Sequence, residues 1–530
     1  MTEAPIVVEN REELIFLLSE ASELEHMLML EYLFAAFSLK TGTSEGLTGE
    51  QLEAVRRWER VISEVAAQEM LHLASASNLL TSLGGAPHFS RPNFPQPAKY
   101  YPPEFEMALM PFSEQALGHF VFFERPEGME HDAPELQLAS EAMAPLVVPH
   151  EQEFATVGHL YRGIERGLER LVERYGERRV FVGPPEAQAA RRYFRWPELV
   201  PVTDLASARA AIETIVEQGE GARSDRDDAH FGMFLRVLVE FLEFKRRDPD
   251  FEPARPVTAA WVRAPGDTNP SDHALITDPT TAGVADLFNS SYEVMLQMLV
   301  RFFAHTEETE EQLQTLSRTA VGAMSLLIKP LGQLLTTLPV GAEYPGKTAG
   351  PNFEFYRKSY LLPHRHAAWV LIHERLLELA DYCARLSTRP SAPADLTTIE
   401  DNFRKLAGAL EQHIDREGSD TSGGAPASAF SAVLQESELR GDALRAVEVD
   451  GIPVVLSRSE SGEVCAIGGT CTHLGGPLAE GEREGDVVTC SWHGSQFDLC
   501  SGKVVRGPAR VPAQRFETRV RDGWIEVRPV

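Results

Sequence analysis

Through residues 11–40, REELIFLLSEASELEHMLMLEYLFAAFSLK, apolar side chains recur at steps of three and four for about eight turns before Thr41-Gly42 closes the run, which predicts a long helix. A second helix is predicted over residues 48–83, stopping at Gly84-Gly85-Ala86-Pro87. Both are long for globular helices, so their apolar faces call for a bundle. From Pro87 to Pro149 proline and aromatic residues crowd together, and the segment reads as a long crossover with short helices. A third helix is predicted over 150–176, and a fourth region, 205–244, is helical but interrupted between Gly219 and Asp228. After a Pro-rich connection at 252–280, amphipathic stretches follow at 284–312, 313–338, 362–387 and 397–415. The small, polar string REGSDTSGGAPASA, 416–429, has the composition of a linker. Beyond it the period changes: VEVDGIPVVLSR, EVCAIGG, DVVTCSW and WIEVRPV are short β-type runs separated by Gly and Asp. The pattern predicts a multidomain chain: a helical bundle over 1–250, an additional helical region over 251–415, the linker, and a small all-β domain over 430–530.

Composition narrows the function. The 530 residues carry a net charge of −29 and no basic run to offset it, which excludes nucleic acid and anionic membrane as partners. The opening MTEAPIVVENREELIF has neither the basic nor the apolar region of a secretion signal, and no apolar run is long enough to span a bilayer, so a soluble cytoplasmic protein is expected. Five cysteines, an odd number, do not suggest a disulfide framework; a reducing compartment is the default, leaving thiolates free for metal.

Two of those cysteines belong to a metal-ligand pattern. Cys471-x-His473 and Cys490-x-x-His493 each fall on a turn between predicted strands, with sixteen residues between His473 and Cys490. Two thiolates and two imidazoles suit either a 2Fe-2S cluster with His in place of Cys on one iron, or a structural zinc ion. The stretches GGTCTHLGGPL and CSWHGSQFDLCSGKVVRGPA, within residues 428–530, resemble Rieske ferredoxins, and the resemblance implies the cluster. Respiratory Rieske proteins carry a disulfide between the cluster loops, but Gly476 and Trp492 stand at the matching positions here, and Phe497 replaces their Tyr while Ser495 is kept. Fewer hydrogen bonds to the sulfurs favour the low end of the Rieske range of about −150 to +300 mV, as in a soluble electron carrier. Cys465 and Cys500, outside the ligand pattern, read as small buried apolar residues.

A one-electron carrier needs an acceptor, and the helical part offers carboxylates and histidines. Glu69 and His72, at i and i+3 in EVAAQEMLHLASASNLL, share a helix face. Glu25 lies among nearly unbroken apolar residues in LEHMLMLEYLFAAF, where a buried carboxylate is costly unless a metal neutralises it. Glu31, six residues on, falls on another face. Glu-x-x-His opposite a Glu from a neighbouring helix is the arrangement of ferritin-like di-iron sites. The stretch 11–380 resembles the ferritin-like family that includes iminophenyl-pyruvate dimer synthases, through LEHMLMLEYLFAAFSLK, EMLHLASASNLLTSLGG, TVGHLYRGIERGL, IETIVEQGEG followed by HFGMF, and KPLGQLLTTLPVG with GPNFEF. The resemblance implies a ferritin-like four-helix bundle and a metal ligand just before LYRGI, where this chain has His159 instead of Glu; Glu153, two turns earlier, is the alternative. It also carries over Glu217, Glu220 and His230 from the interrupted region, Glu217 being the weaker member beside Glu220.

The expected iron shell is therefore Glu25, Glu69, His72, His159, Glu220 and His230, and the expected cluster ligands are Cys471, His473, Cys490 and His493. His26 points about 100 degrees away from Glu25, and His364, His366 and His373 flank or follow a helix start at Pro363; these four read as packing or surface residues. No dinucleotide fingerprint, P-loop or G-x-S-x-G motif occurs, so reducing equivalents must come from an external reductase or ferredoxin. The expected protein is an oxidoreductase in which a non-haem site, of two irons, activates dioxygen on a small organic substrate, with electrons relayed by its own Rieske domain. Manganese or a mixed pair suits the same ligands. The alternatives are oxidative coupling of amino-acid-derived imines, as in the dimer synthases, and a non-enzymatic electron shuttle with a metal-free helical module. Long apolar helix faces also lead to a homo-oligomer as the expectation.

Overall fold

The computed structural model describes residues 6–97, 106–126, 156–219, 228–263, 274–305, 307–356, 362–420, 430–449, 452–473, 476–509 and 511–529. The chain forms two compact units, Met1–Arg416 and Glu417–Val530.

The first unit is built on α1, Arg11–Ser38, and α2, Gly49–Ser82, which pack along each other. Asn10 caps α1 by accepting from the Glu13 backbone N–H, while Glu12 and Glu13 complement the positive end of the helix dipole. Thr48 and Gln51 form a reciprocal capping box on α2, an arrangement worth about 1 kcal/mol. From Leu24 to Ser38 α1 is buried on nearly every face, so its second half runs through the interior of the unit. Helices α3 (Glu114–Phe123), α4 (Val157–Tyr175), α5 (Leu205–Gly219) and α6 (His230–Arg247) surround this pair, α4 against α1 and α5, and α6 against α2 and α3. The interruption expected near Gly219–Asp228 is the gap between α5 and α6.

Beyond residue 250 come α7 (Pro279–Phe303), α8 (Glu310–Ala323), α9 (Lys329–Leu335), α10 (Arg365–Ser387) and α11 (Asp395–Asp420). Helix α7 begins earlier than its apolar pattern suggested because Asp278 caps it and Pro279 fits the first turn, where no backbone donor is needed. The stretch predicted as one helix over 313–338 is broken by a π-turn, Met324–Ile328, ahead of Pro330, whose ring removes an N–H from the ladder. Helix α11 runs past residue 415 to Asp420; the rest of the 416–429 linker lies outside the described residues.

The C-terminal unit is all antiparallel β. Strands β1 (Ser431–Gln435), β2 (Arg445–Val449), β3 (Ile452–Arg458), β4 (Val464–Gly468), β9 (Arg515–Arg521) and β10 (Trp524–Pro529) form one sheet in the order β1-β10-β9-β4-β3-β2. Strands β5 (Glu482–Glu484), β6 (Val487–Thr489), β7 (Gln496–Asp498) and β8 (Val504–Arg506) form a smaller one, in the order β8-β7-β6-β5. Cys465, on β4, and Cys500, just after β7, are joined in a disulfide across a separation of 35 residues. This corrects the reading of them as two independent buried thiols: the fold brings their Cα atoms to 4.7 Å and so ties the smaller sheet to the larger.

Candidate metal centres

Glu25 comes from the middle of α1, Glu69 and His72 from α2, Glu124 from the residue that closes α3, and His230 from the first residue of α6; all are buried. Glu69, His72 and His230 offer ligand atoms that all lie within 4.8 Å of one another. Glu69 is the hub, with Oε2 3.1 Å from His72 Nδ1 and Oε1 2.8 Å from His230 Nδ1. Each imidazole faces one further carboxylate: Glu25 lies 3.6 Å from His72 Nδ1 and Glu124 lies 3.5 Å from His230 Nδ1. A small space of about 10 Å³ opens among Glu25, Glu69, His72 and Glu124, also lined by Phe123 and Gly219.

The neighbours of this group fix its orientation. His72 Nε2 meets Gln218 Oε1 at 3.0 Å, and His230 Nε2 meets Gln68 Oε1 at 2.8 Å. A glutamine oxygen only accepts, so both rings carry a proton on Nε2 and leave Nδ1 to take either a second proton or a metal. The Tyr32 hydroxyl donates to Glu124 Oε1 and holds that carboxylate. Tyr161, from α4, is wholly buried, and burial together with the Glu25 charge raises its phenol well above the ordinary value.

Charges in the group balance through protons. Burial works against a charged His72, but Glu69 and Glu25 hold its pKa well above the ordinary value. His230 is likewise opposed by burial and carried up to about 9 by Glu124 and Glu69. Burial and the Glu69 charge push Glu25 up to about 8, while Glu69, despite its own burial, is held well below the usual carboxylate range by the two imidazoles. Glu25 Oε1 is buried without a hydrogen-bond partner. A buried donor set that needs protons to offset its carboxylates, and that leaves a ligand atom unused, fits non-haem iron.

Of the residues expected from the sequence, Glu25, Glu69, His72 and His230 come together. His159 is buried on α4, with its backbone N–H taken by the Thr156 cap, and is not one of the three residues whose ligand atoms lie within 4.8 Å of one another. Glu217 is exposed; its neighbour Gln218 is the residue turned toward His72. Glu220 and Glu153 lie outside the described residues. Glu124 was not anticipated. Its signal is the one that marked Glu25, a carboxylate set against an apolar run, here the FVFF before it. Glu31 is fully buried 3.6 Å from His119 Nε2 and outside the group, and His26 pairs with the Tyr292 hydroxyl. His364 and His366 are exposed at the start of α10, and His373 is partly exposed further along it.

In the C-terminal unit, Cys471 follows β4, and Cys490 opens the loop that joins β6 to β7. Two backbone bonds shape the loops, Cys471 N–H to Gly476 O at 2.7 Å and Cys490 N–H to Ser495 O at 2.8 Å. Both thiols are free and buried, and the His473 and His493 rings face each other edge to face with centroids 4.9 Å apart. Gly476 is required by close approach: a Cβ there would lie 2.8 Å from Cys490 Sγ and 3.0 Å from the Trp492 ring. Ser495 is fully buried and its hydroxyl accepts from the Ala509 N–H, so its own proton is available to a sulfur.

The chain matches the ferritin-like family over residues 18–239 and the Rieske [2Fe-2S] domain family over residues 429–517. It is 29% identical to dichlorochromopyrrolate synthase of Lentzea aerocolonigenes over 414 residues, 71% of this chain and 39% of the relative. It is 28% identical to 2-imino-3-(indol-3-yl)propanoate dimerase of Chromobacterium violaceum over 364 residues, 66% of this chain and 34% of the relative. The chain thus spans well under half the length of these two relatives. Its C-terminal part is 31% identical to the ferredoxin component of the naphthalene 1,2-dioxygenase system of Pseudomonas putida over 93 residues, 18% of this chain and 88% of the relative. The Rieske domain implies a 2Fe-2S cluster. Among the described residues no helix is long and apolar enough to cross a membrane.

Proposed function

The chain belongs to the Rieske [2Fe-2S] family through its C-terminal domain and carries a ferritin-like domain ahead of it, and on that premise we propose that it is an oxidoreductase with two metal centres in one polypeptide. The observation that carries the reading is the buried Glu25, Glu69, His72, Glu124 and His230 constellation. Glu69, which faces both imidazoles, together with Glu25, His72, Glu124 and His230 would hold the non-haem metal, and Cys471, His473, Cys490 and His493 would hold the cluster. Iron held there would supply the chemistry of dioxygen activation at an organic substrate, and the Rieske domain, recharged by an external reductase, would be its source of electrons. Gln68 and Gln218 keep both Nδ1 atoms turned inward, and Tyr32 keeps Glu124 oriented. The apolar surroundings exclude bulk water, which strengthens every charge interaction in the group.

A second reading is favoured by the synthase and dimerase activities for which the two long relatives are named: the oxidised substrate would be an amino-acid-derived imine, and the product its coupled dimer. Turnover of the full chain with a ferredoxin reductase and dioxygen tests the proposal. Cys471→Ser is expected to abolish reductase-coupled oxygen uptake while the chemically reduced variant still consumes one pulse of dioxygen. Full coupled activity in that variant would sink the relay.

A further inference from the structure

Away from the carboxylate–imidazole group, the helical unit holds a cleft of about 460 Å³ against α7 and α10, and its lining contains none of the candidate metal residues. That volume is within the range of small-molecule sites. Its charges are unevenly satisfied. Glu378 takes Arg375 at 3.1 Å, and Asp381 takes Arg404, from α11, at 2.9 Å. Arg263 and Arg385, in contrast, lie over the rings of Tyr356 and Tyr382, at 4.9 and 5.7 Å from the centroids, and have no carboxylate within 4.0 Å among the described residues. In a chain of net charge −29 two such guanidiniums in one cleft are conspicuous. In the lining of the same cleft, Asp286 accepts the Tyr356 hydroxyl on Oδ1 at 2.6 Å and has no cationic partner among the described residues. The two signs converge: the Tyr382 phenol, raised first by burial and then by Asp286, is drawn down by Arg389, Arg385 and Arg263 together. Arg389 itself is committed to the Pro279 carbonyl at 2.6 Å.

We propose that this cleft binds a small zwitterion of the α-amino-acid type, its carboxylate on Arg263 and Arg385 and its ammonium on Asp286. Guanidinium–carboxylate pairing is bidentate and charge-assisted, and the two tyrosine rings in the lining offer apolar surface to the side chain. The site is separate from the proposed redox reaction and neither needs nor supports it.

Calorimetric titration of the full chain tests this with three probes of one skeleton. L-norleucine carries both charges, hexanoate lacks the ammonium and pentylamine lacks the carboxylate. L-norleucine is expected to bind at least tenfold more tightly than either of the others. The Arg263→Gln/Arg385→Gln variant is expected to lose that advantage over pentylamine, and Asp286→Asn to lose it over hexanoate. Equal binding of hexanoate and L-norleucine would reduce the cleft to a simple anion site and overturn the proposal. So would absence of L-norleucine binding at millimolar concentration to the unmodified protein. The iron content of these variants is expected to stay that of the parent, so failure here leaves the redox reading untouched.

Discussion

The two candidate metal centres are assembled in opposite ways. The C-terminal one comes from two loops of one small β unit, with all four donors between Cys471 and His493. The helical one takes its donors from α1, α2, the end of α3 and the start of α6, spread from Glu25 to His230. Burial differs as well: Trp492 and His493 are exposed beside buried thiols, whereas every member of the helical group is 5% exposed or less. A cluster site near solvent suits exchange of electrons with a partner protein. A deeply buried carboxylate set suits chemistry that must exclude water, and it can persist without metal only by holding protons.

The contrast is broken most sharply by Glu69→Ala. Losing the hub that faces both imidazoles is expected to remove the non-cluster metal and reduce turnover at least a hundredfold, while acid-labile sulfide stays at the parental level. Metal and sulfide analysis with oxygen-uptake assays checks it, and parallel loss of sulfide would mean that the two centres do not load independently.

The next largest effect concerns the β unit. The Cys465→Ala/Cys500→Ala variant is expected to lose about 3–4 kcal/mol of stability in that unit, from the loop entropy of a 35-residue closure. Denaturant titration of the full chain, followed through cluster absorbance, reads this directly.

Smaller still, Tyr32→Phe frees Glu124 without removing a donor and is expected to weaken helical metal binding by about 10- to 100-fold, as loss of an outer hydrogen bond to a ligand does. Glu124→Gln should weaken it further. An unchanged affinity in Glu124→Gln would remove Glu124 from the donor set.

The least of the effects is in pH. With non-cluster metal stripped, the imidazole of His230 contributes stability fully below its unfolded value of 6.5 and loses it as pH rises through about 9. The protonated Glu25 carboxyl contributes below 4.5 and loses its contribution as pH rises through about 8. Both point the same way, so the thermal midpoint of the stripped helical unit is expected to fall by several degrees between pH 6.5 and pH 9. Metal replaces those protons, and the loaded protein should show a flatter profile.

The same difference in assembly decides what could be read from the chain. The Cys-x-His and Cys-x-x-His loops are local, so spacing alone put their four residues forward as one donor set, and the resemblance chose the cluster over zinc. Helix α1 with Glu25, and α2 with Glu69 and His72, were legible because helical periodicity assigns each residue a face. Glu124 was not, since it ends a short helix after a Pro-rich crossover and no period relates it to α2 or α6. On α4 the motif pointed to His159, and the residue it gave no reason to single out is Tyr161, which lies beside Glu25. The Cys465–Cys500 pair was hidden because a disulfide depends on which strands meet, a property of the sheet and not of spacing.

The most direct test is iron and acid-labile sulfide per chain on freshly purified full-length protein. The cluster contributes about two of each, so an excess of about two iron atoms over sulfide is the result expected of a helical centre beside a Rieske centre. Equal iron and sulfide, with no other metal bound, would contradict the account and leave the helical unit without the centre assigned to it.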